Sequence, residues 1–345
     1  MPNNFQKGFT LLELMISLVL GLLICAAGLM VFLNGQRSLA LQGGMNELQQ
    51  NANFGLAMLT HDLRLTNLNT PSTQKVNNKQ VGSGIVFVAK DGSGVGTAGN
   101  LPSSLSGVSP DLLTKQESDD GATLGKNEQL TIQYIPAYTR TVAKACPAGQ
   151  ESCTEAEKKD VTTYAFNGYD CEGNRLSFSE ARVIVQRYHL KPDTSQVSGQ
   201  PTAYSLYCDA GNYVAGDASI TGMTSSSNNG QQIMQRIDAF KVRLQVKDSN
   251  NKMRYMTINE YLALMPVKLT DEKSFYNITA VEISILARST SPLNSESLID
   301  NNKTFKMFGN DDLTLKLNSA QQKGPKYLRE VFSQVVAFRN TLGAS

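Results

Sequence analysis

The sequence predicts an α+β chain in which one long N-terminal helix, first membrane-spanning and then amphipathic, packs on a head rich in antiparallel β-sheet. Three observations predict it. Apolar residues run almost unbroken from Phe9 to Leu33; a polar segment with an apolar stripe follows; and beyond Pro71 short β-rich runs alternate with Gly, Ser and Asn. At 345 residues and 41% hydrophobic content the chain is long enough for a sizeable buried core, and it has neither disordered nor collagen-like composition. Its 32 basic and 30 acidic residues leave a formal charge of +2, which gives no global electrostatic reason to expect nucleic acid or an acidic partner.

The first element is set by length. As a helix, Phe9 to Leu33 spans about 37 Å, enough to cross a hydrocarbon core of roughly 30 Å. A secretory signal would carry a charged n-region, a shorter apolar stretch and a small-residue cleavage site after it. Here the polar part is only Met1 to Gly8, with one cation at Lys7, and no A-x-A ending follows the apolar run. A plain signal anchor would fit that much, but it leaves Glu13 unexplained. A carboxylate deep in a bilayer costs about 2.5 to 3.5 kcal/mol on insertion scales and asks for a partner. Cleavage between Gly8 and Phe9 would create an α-amine one helical turn before Glu13, and a neighbouring subunit's amine would neutralise that carboxylate.

The residues K-G-F-T-L-L-E-L, Lys7 to Leu14, resemble the processing site of type IV prepilins and pseudopilins. The resemblance implies that a membrane prepilin peptidase cuts after Gly8 and methylates the amine of Phe9, and that Glu13 guides docking into a growing filament. The expected divisions are then a leader over 1–8, a membrane and filament-core helix over 9–33, its amphipathic continuation over 34–68 and a periplasmic β-rich head over 69–345. Lys7 on the leader, set against Arg37 just beyond the span, gives only a small charge bias, and it agrees with a cytoplasmic leader.

The stripe Met45, Leu48, Ala52, Leu56, Leu59 and Leu63 recurs every three or four residues, so the helix is expected to leave the membrane and lay this face on the head. Gly43 and Gly44 mark a candidate kink, and Asn, Thr and Pro between Thr66 and Pro71 end the helix. His61, beside the stripe, lacks a Cys or acid cluster at ligand spacing and reads as a surface or satisfied histidine in preference to a metal ligand. Strands are expected at 85–89, 129–135, 161–166, 181–189, 203–208, 237–246, 253–258, 280–288 and 327–339, with one helical turn at 260–265. Val281, Ile283, Ile285 and Ala287 alternate with Glu282, Ser284 and Leu286, the pattern of one buried face. The polar stretches near 91–127 and 191–232 read as loops or connections.

Cys25 lies in the apolar run and reads as a small apolar residue. Cys146, Cys153, Cys171 and Cys208 make an even set in an oxidising compartment, which favours two disulfides over zinc, since no C-x(2 to 4)-C pair is present. Four cysteines allow three connectivities. The favoured one is Cys146 with Cys153, closing a small Pro-Ala-Gly loop, and Cys171 with Cys208, linking neighbouring strands. Chain entropy gives such bridges about 2.5 and 4 kcal/mol, less any native strain.

Several motifs resemble chemistry without its context. Gly94, Gly96 and Gly99 spell G-x-G-x-x-G, but Asn100, Leu101, Pro102 and two serines follow where a phosphate cradle needs a helix. Asp248 to Lys252 begins like a calcium loop yet lacks its sixth-position glycine and twelfth-position glutamate, so a hairpin turn is expected. His61 and His189 have no nucleophile context, and Asp119/Asp120 and Asp311/Asp312 read as solvated loop charge. No enzymatic activity, metal or cofactor is expected. Lys323, Lys326, Tyr327, Arg329, Phe332, Phe338 and Arg339 read as a packed final strand with charged edges, in preference to a DNA-binding patch.

The head resembles the PilW-type minor pilins through Asp170 to Asn174, Leu206-Tyr207-Cys208, the strands at 237–246 and 281–288, Leu328 to Phe332 and Ala337 to Asn340, taken in that order. This likeness implies a pilin-like fold and a low-abundance subunit anchored once in the bacterial inner membrane with a periplasmic head. It implies as partners the prepilin peptidase, other minor pilins, the major pilin, a tip-associated adhesin and an inner-membrane assembly platform. The complex would prime pilus assembly and sit at or near the tip. The rival readings are a minor pseudopilin of a type II secretion system, which shares the stem logic, and a pilus-borne receptor binding DNA or a surface.

Overall fold

A computed structural model describes residues 8–73, 75–87, 100–105, 107–116, 128–146, 152–223, 230–265, 275–293, 299–309 and 313–339. A single helix, α1 (Leu11–Leu63), runs unbroken for 53 residues, about 80 Å. Gly43 and Gly44, the expected weak point, lie inside this continuous helix. A Cβ on Gly44 would lie 3.7 Å from Ser289 and Leu293, so this glycine sits where the helix meets the head. Up to Leu39 every described side chain of the stem is exposed. Burial begins with the C-terminal third, where Leu48, Ala52, Gly55, Leu56, Leu59 and Leu63 face the head. Met45, expected on that face, remains exposed.

Twelve strands are described. The first four-stranded sheet has the order β1 (Leu130–Tyr134), β4 (Val183–Pro192), β5 (Tyr204–Tyr213), β6 (Gln231–Met234). The second runs β12 (Arg329–Ala337), β9 (Asn277–Arg288), β7 (Ile237–Lys247), β8 (Met253–Thr257). All their ladders are antiparallel. Two hairpins stand apart, β2 (Tyr138–Ala145) with β3 (Lys159–Phe166), and β10 (Phe305–Met307) with β11 (Leu313–Leu315). Short helices α2 (Ile258–Leu264) and α3 (Ser319–Lys323) complete the head; α2 includes most of the expected helical turn.

The main core lies where the buried face of α1 meets both sheets. It joins Leu48, Leu56 and Leu59 to Leu206 and Met234 of the first sheet and to Phe240, Val242, Ile283 and Ile285 of the second. The alternation along β9 does place Val281, Ile283, Ile285 and Ala287 on this core, but the expectation of only one buried face is corrected. Leu286 on the other face packs with Phe305, Met307, Phe308, Leu315 and Leu317 of the β10–β11 layer. Polar residues on that face are consequently paired: Arg243 Nη2 donates to Glu282 Oε2 at 2.7 Å, and the Arg243 guanidinium lies 4.4 Å from the Phe308 ring centroid.

Eight of the nine expected strands coincide with described ones. At 85–89 the chain makes only isolated bridges, Ile85 to Ile132 and Phe87 to Thr114, and Val88 and Ala89 lie outside the described residues. Strands β2, β6, β10 and β11 and helix α3 arise where no element was expected. Asp248 to Lys252 is the turn between β7 and β8. The Asp248 carboxylate accepts from the Asn250 and Lys252 amides, each at 2.9 Å, and Asn251 takes φ 64°. The Gly94 to Gly99 motif and the pairs Asp119/Asp120 and Asp311/Asp312 lie outside the described residues.

Candidate functional site

The stem begins in an ordered cap. Thr10 is the N-cap residue of α1, with extended backbone at φ −77° and ψ 151°. Its Oγ1 accepts from the Glu13 amide at 3.3 Å, while Glu13 Oε2 accepts from the Thr10 amide and from Thr10 Oγ1, each at 3.0 Å. This reciprocal arrangement satisfies two amides that a helix start otherwise leaves bare. The structure therefore gives Glu13 a partner within its own chain, Thr10, besides the amine expected from a neighbouring subunit. The signal was legible: T-x-x-E ahead of an apolar run is a helix-start pattern.

Gly8 and Phe9 precede the cap and are exposed, Phe9 at 89%. A Cβ at Gly8 would meet nothing within 4 Å. The fold of this chain thus makes no steric demand for glycine at that position. Along the following stem, Leu12, Ile16, Leu20, Leu23 and Phe32 are exposed, and none is covered by the head. Apart from Glu13 no ionisable carboxyl or amine interrupts 9–33, and the segment is long and apolar enough to cross a membrane. Cys25 is an exposed free thiol on this surface.

At the other end, three features fix α1 to the head. Asn51 Nδ2 donates to the Gln235 carbonyl at 2.6 Å, and its Oδ1 accepts from the Gln235 amide at 3.2 Å. Glu47 Oε2 accepts from Thr290 Oγ1 at 2.7 Å. At Gly55 the helix backbone comes so close to β6 that a Cβ would lie 1.8 Å from Met234 Cγ. In the last turn of α1, beside Leu63 at the end of the buried stripe, the Tyr188 hydroxyl lies 2.9 Å from Asp62 Oδ2 and 3.0 Å from Gln186 Oε1. Burial pushes the Asp62 carboxyl above the usual range, opposed by His61 and Tyr188. His61 itself is exposed, with Nδ1 3.2 Å from Asp62 Oδ1.

The four head cysteines form two disulfides, Cys146–Cys153 and Cys171–Cys208. The second is buried within the main core and ties the turn Asp170 to Asn174 to the central strand β5. In that turn Asp170 Oδ1 accepts from the Glu172 and Asn174 amides at 3.0 and 2.8 Å. His189, on β4, is buried, and burial together with Arg187 and Lys191 pushes its imidazole down to about 3. It is a neutral core side chain at physiological pH. The C-terminal basic and aromatic residues divide: Arg329 Nε donates to buried Asp238 at 2.7 Å, Tyr327 and Phe338 are buried, and Lys323 and Arg339 are exposed.

Two family models match the chain. One, described as "Type IV Pilus-assembly protein W", covers residues 188–340, which contain β5 through β12. The other, the prokaryotic N-terminal methylation motif, covers residues 3–29, which contain Gly8, Phe9 and Glu13. No curated protein matches. Among solved structures, the chain is similar to a type IV-like pilin, TTHA1219 from Thermus thermophilus, at 12% identity and a TM-score of 0.33, over 85% of this chain and 98% of that one.

Proposed function

We propose that this type IV pilin-like protein is a minor pilin that is cut between Gly8 and Phe9 by a prepilin peptidase, methylated on the Phe9 amine, and built into a pilus by its stem. The observation that carries the reading is a conjunction on one chain. A head matching the pilus-assembly model follows a methylation motif whose apolar helix is wholly uncovered by that head. An exposed apolar rod of this length needs hydrocarbon before assembly and other rods after it.

The chemistry of assembly follows from the cap. Before cleavage, Phe9 has a peptide nitrogen and Glu13 is held by Thr10 among the described residues. After cleavage the same nitrogen becomes a cationic amine on exposed Phe9. In lipid, where an isolated charge is costly, a neighbouring subunit's amine and Glu13 would neutralise one another as the stems pack. The head, periplasmic in this reading, supplies side surfaces toward other minor pilins and the major pilin. Together with a tip-associated adhesin and the inner-membrane platform, these subunits would prime the fibre and remain near its tip.

Intact-mass measurement of the chain from its own cells tests the first step: the expected species begins at methylated Phe9. A chain that keeps Met1 overturns the processing. Deletion of the gene is expected to abolish or sharply reduce surface pili while leaving exoprotein export intact. Loss of export with normal piliation would instead assign the chain to a secretion machine. Gly8→Val is expected to block maturation without disturbing the fold, because the site has open space around it.

A further inference from the structure

We propose that the outer edge of β2 is a strand-addition site for an extended segment of a different subunit, one that bears two acidic side chains four residues apart. The inference rests on the assembly reading only for calling the partner a subunit. The β2–β3 hairpin belongs to neither four-stranded sheet. Seven of the eight residues of β2 are exposed, and β3 is mostly exposed until Phe166. A lone two-stranded ribbon is marginal in water. This one is held at both ends. Cys146–Cys153 closes its far end, immediately beyond Ala145. At its base the rings of Tyr138, Tyr164 and Phe178 surround Phe166, with centroids within 6.3 Å of it.

The result is a preformed arm held out in solvent. One edge of β2 bonds to β3 through eight register pairs; its other edge has no strand partner among the described residues. Such an edge presents unpaired amides and carbonyls, the template that strand addition uses. Pre-ordering the arm removes much of the entropy that a partner would otherwise have to offset.

Charge selects the occupant. Alternation places Tyr138, Arg140, Val142 and Lys144 on one face, with Arg140 and Lys144 roughly 13 Å apart. β2 contains no acid; across the ladder Arg140 stands opposite Tyr164 and Lys144 opposite Asp160, and neither cation forms an ion pair within 4.0 Å among the described residues. A second copy is a poor occupant. Antiparallel pairing centred on Val142 sets Arg140 opposite the copy's Lys144, and in-register parallel pairing sets each cation opposite itself; like charges directly across a ladder are destabilising. A strand with acids at matching positions relieves both. The edge of β3 has charges of both signs, Lys159 and Asp160, and carries no comparable preference.

The test places a photo-cross-linker in the full chain in its own cells, as Val142→p-benzoylphenylalanine, and maps the joined peptide by mass spectrometry in the membrane fraction. The expected product links Val142's position to a different polypeptide, at a segment with two acids separated by three residues. Arg140→Glu with Lys144→Glu is expected to lower that product roughly tenfold, with Cys146–Cys153 still formed, whereas Lys159→Glu leaves it unchanged. A cross-link to this same chain, none at all, or one indifferent to the double reversal overturns the proposal; in the last two cases the cations act as guards against edge pairing. Because the product is read in membranes, it is decided whether or not fibres form. Failure to enter fibres counts against the assembly reading alone.

Discussion

The cap role of Glu13 and the docking role proposed for it can be separated by substitution. As a cap residue it needs only an acceptor oxygen for Thr10, and loss of such a cap costs about 1 kcal/mol. As a docking residue it needs charge. Glu13→Gln keeps the acceptor and loses the charge, so pili counted by electron microscopy should fall as far as with Glu13→Ala, while leader removal stays largely intact in both. Normal piliation in the Gln variant would reduce Glu13 to a cap. His189 gives a second residue-scale test. Its folded pKa, about 3, lies below the usual value near 6.5, so the unfolded chain takes up the proton first as pH falls. The stability it permits above pH 6.5 is lost on the way down toward 3, at roughly 1 kcal/mol per pH unit. Asp62, Asp209 and Glu172, raised mainly by burial, act in the opposite direction. Denaturant melts of His189→Leu and the parent chain should therefore diverge between pH 6.5 and 4, with the variant losing less; parallel curves would refute the assignment. The sequence showed no nucleophile context around His189, and it did not show its burial next to two cations.

At the scale of elements, the seat of α1 on the first sheet depends on a glycine. Gly55→Ala drives a Cβ into Met234, itself buried, and overpacking of this kind costs about 1–3 kcal/mol. Met234→Ala in the same chain should recover part of the loss. A double-mutant cycle on the chain in detergent that shows simple additivity would mean the two sites do not meet. The disulfides should differ as well. Removing Cys171–Cys208 opens the core under the helix and should cost about 2–5 kcal/mol, whereas removing the half-buried Cys146–Cys153, outside the main core, should loosen only the β2–β3 arm. Equal losses of thermal stability in Cys208→Ser and Cys153→Ser would contradict that division. The helix was legible because its stripe repeats over five turns. β2 was not, because Tyr-Thr-Arg-Thr-Val-Ala-Lys-Ala carries exposed residues on both faces and shows no apolar period.

Over the whole molecule, the uncovered stem implies two environments for one surface. A lipid-soluble aryl diazirine, whose photogenerated carbene needs no thiolate, should label the stem around Cys25 several-fold more in the membrane pool than in sheared fibres, where neighbouring stems would enclose it. Equal labelling in both would argue against stem-to-stem packing. The sequence by itself determined the long helix, its apolar length, the face it turns to the head, the methylation motif and most of the strands. Those depend on local period and on hydrophobic run length, which any short window contains. Only the tertiary structure decided that β9 is buried on both faces, that Gly44 lies where α1 meets the head, that Gly55 is where α1 meets Met234, and that the β2–β3 hairpin is largely exposed outside both four-stranded sheets. Each of these depends on what a distant part of the chain lays against a residue, and no local pattern encodes that neighbour.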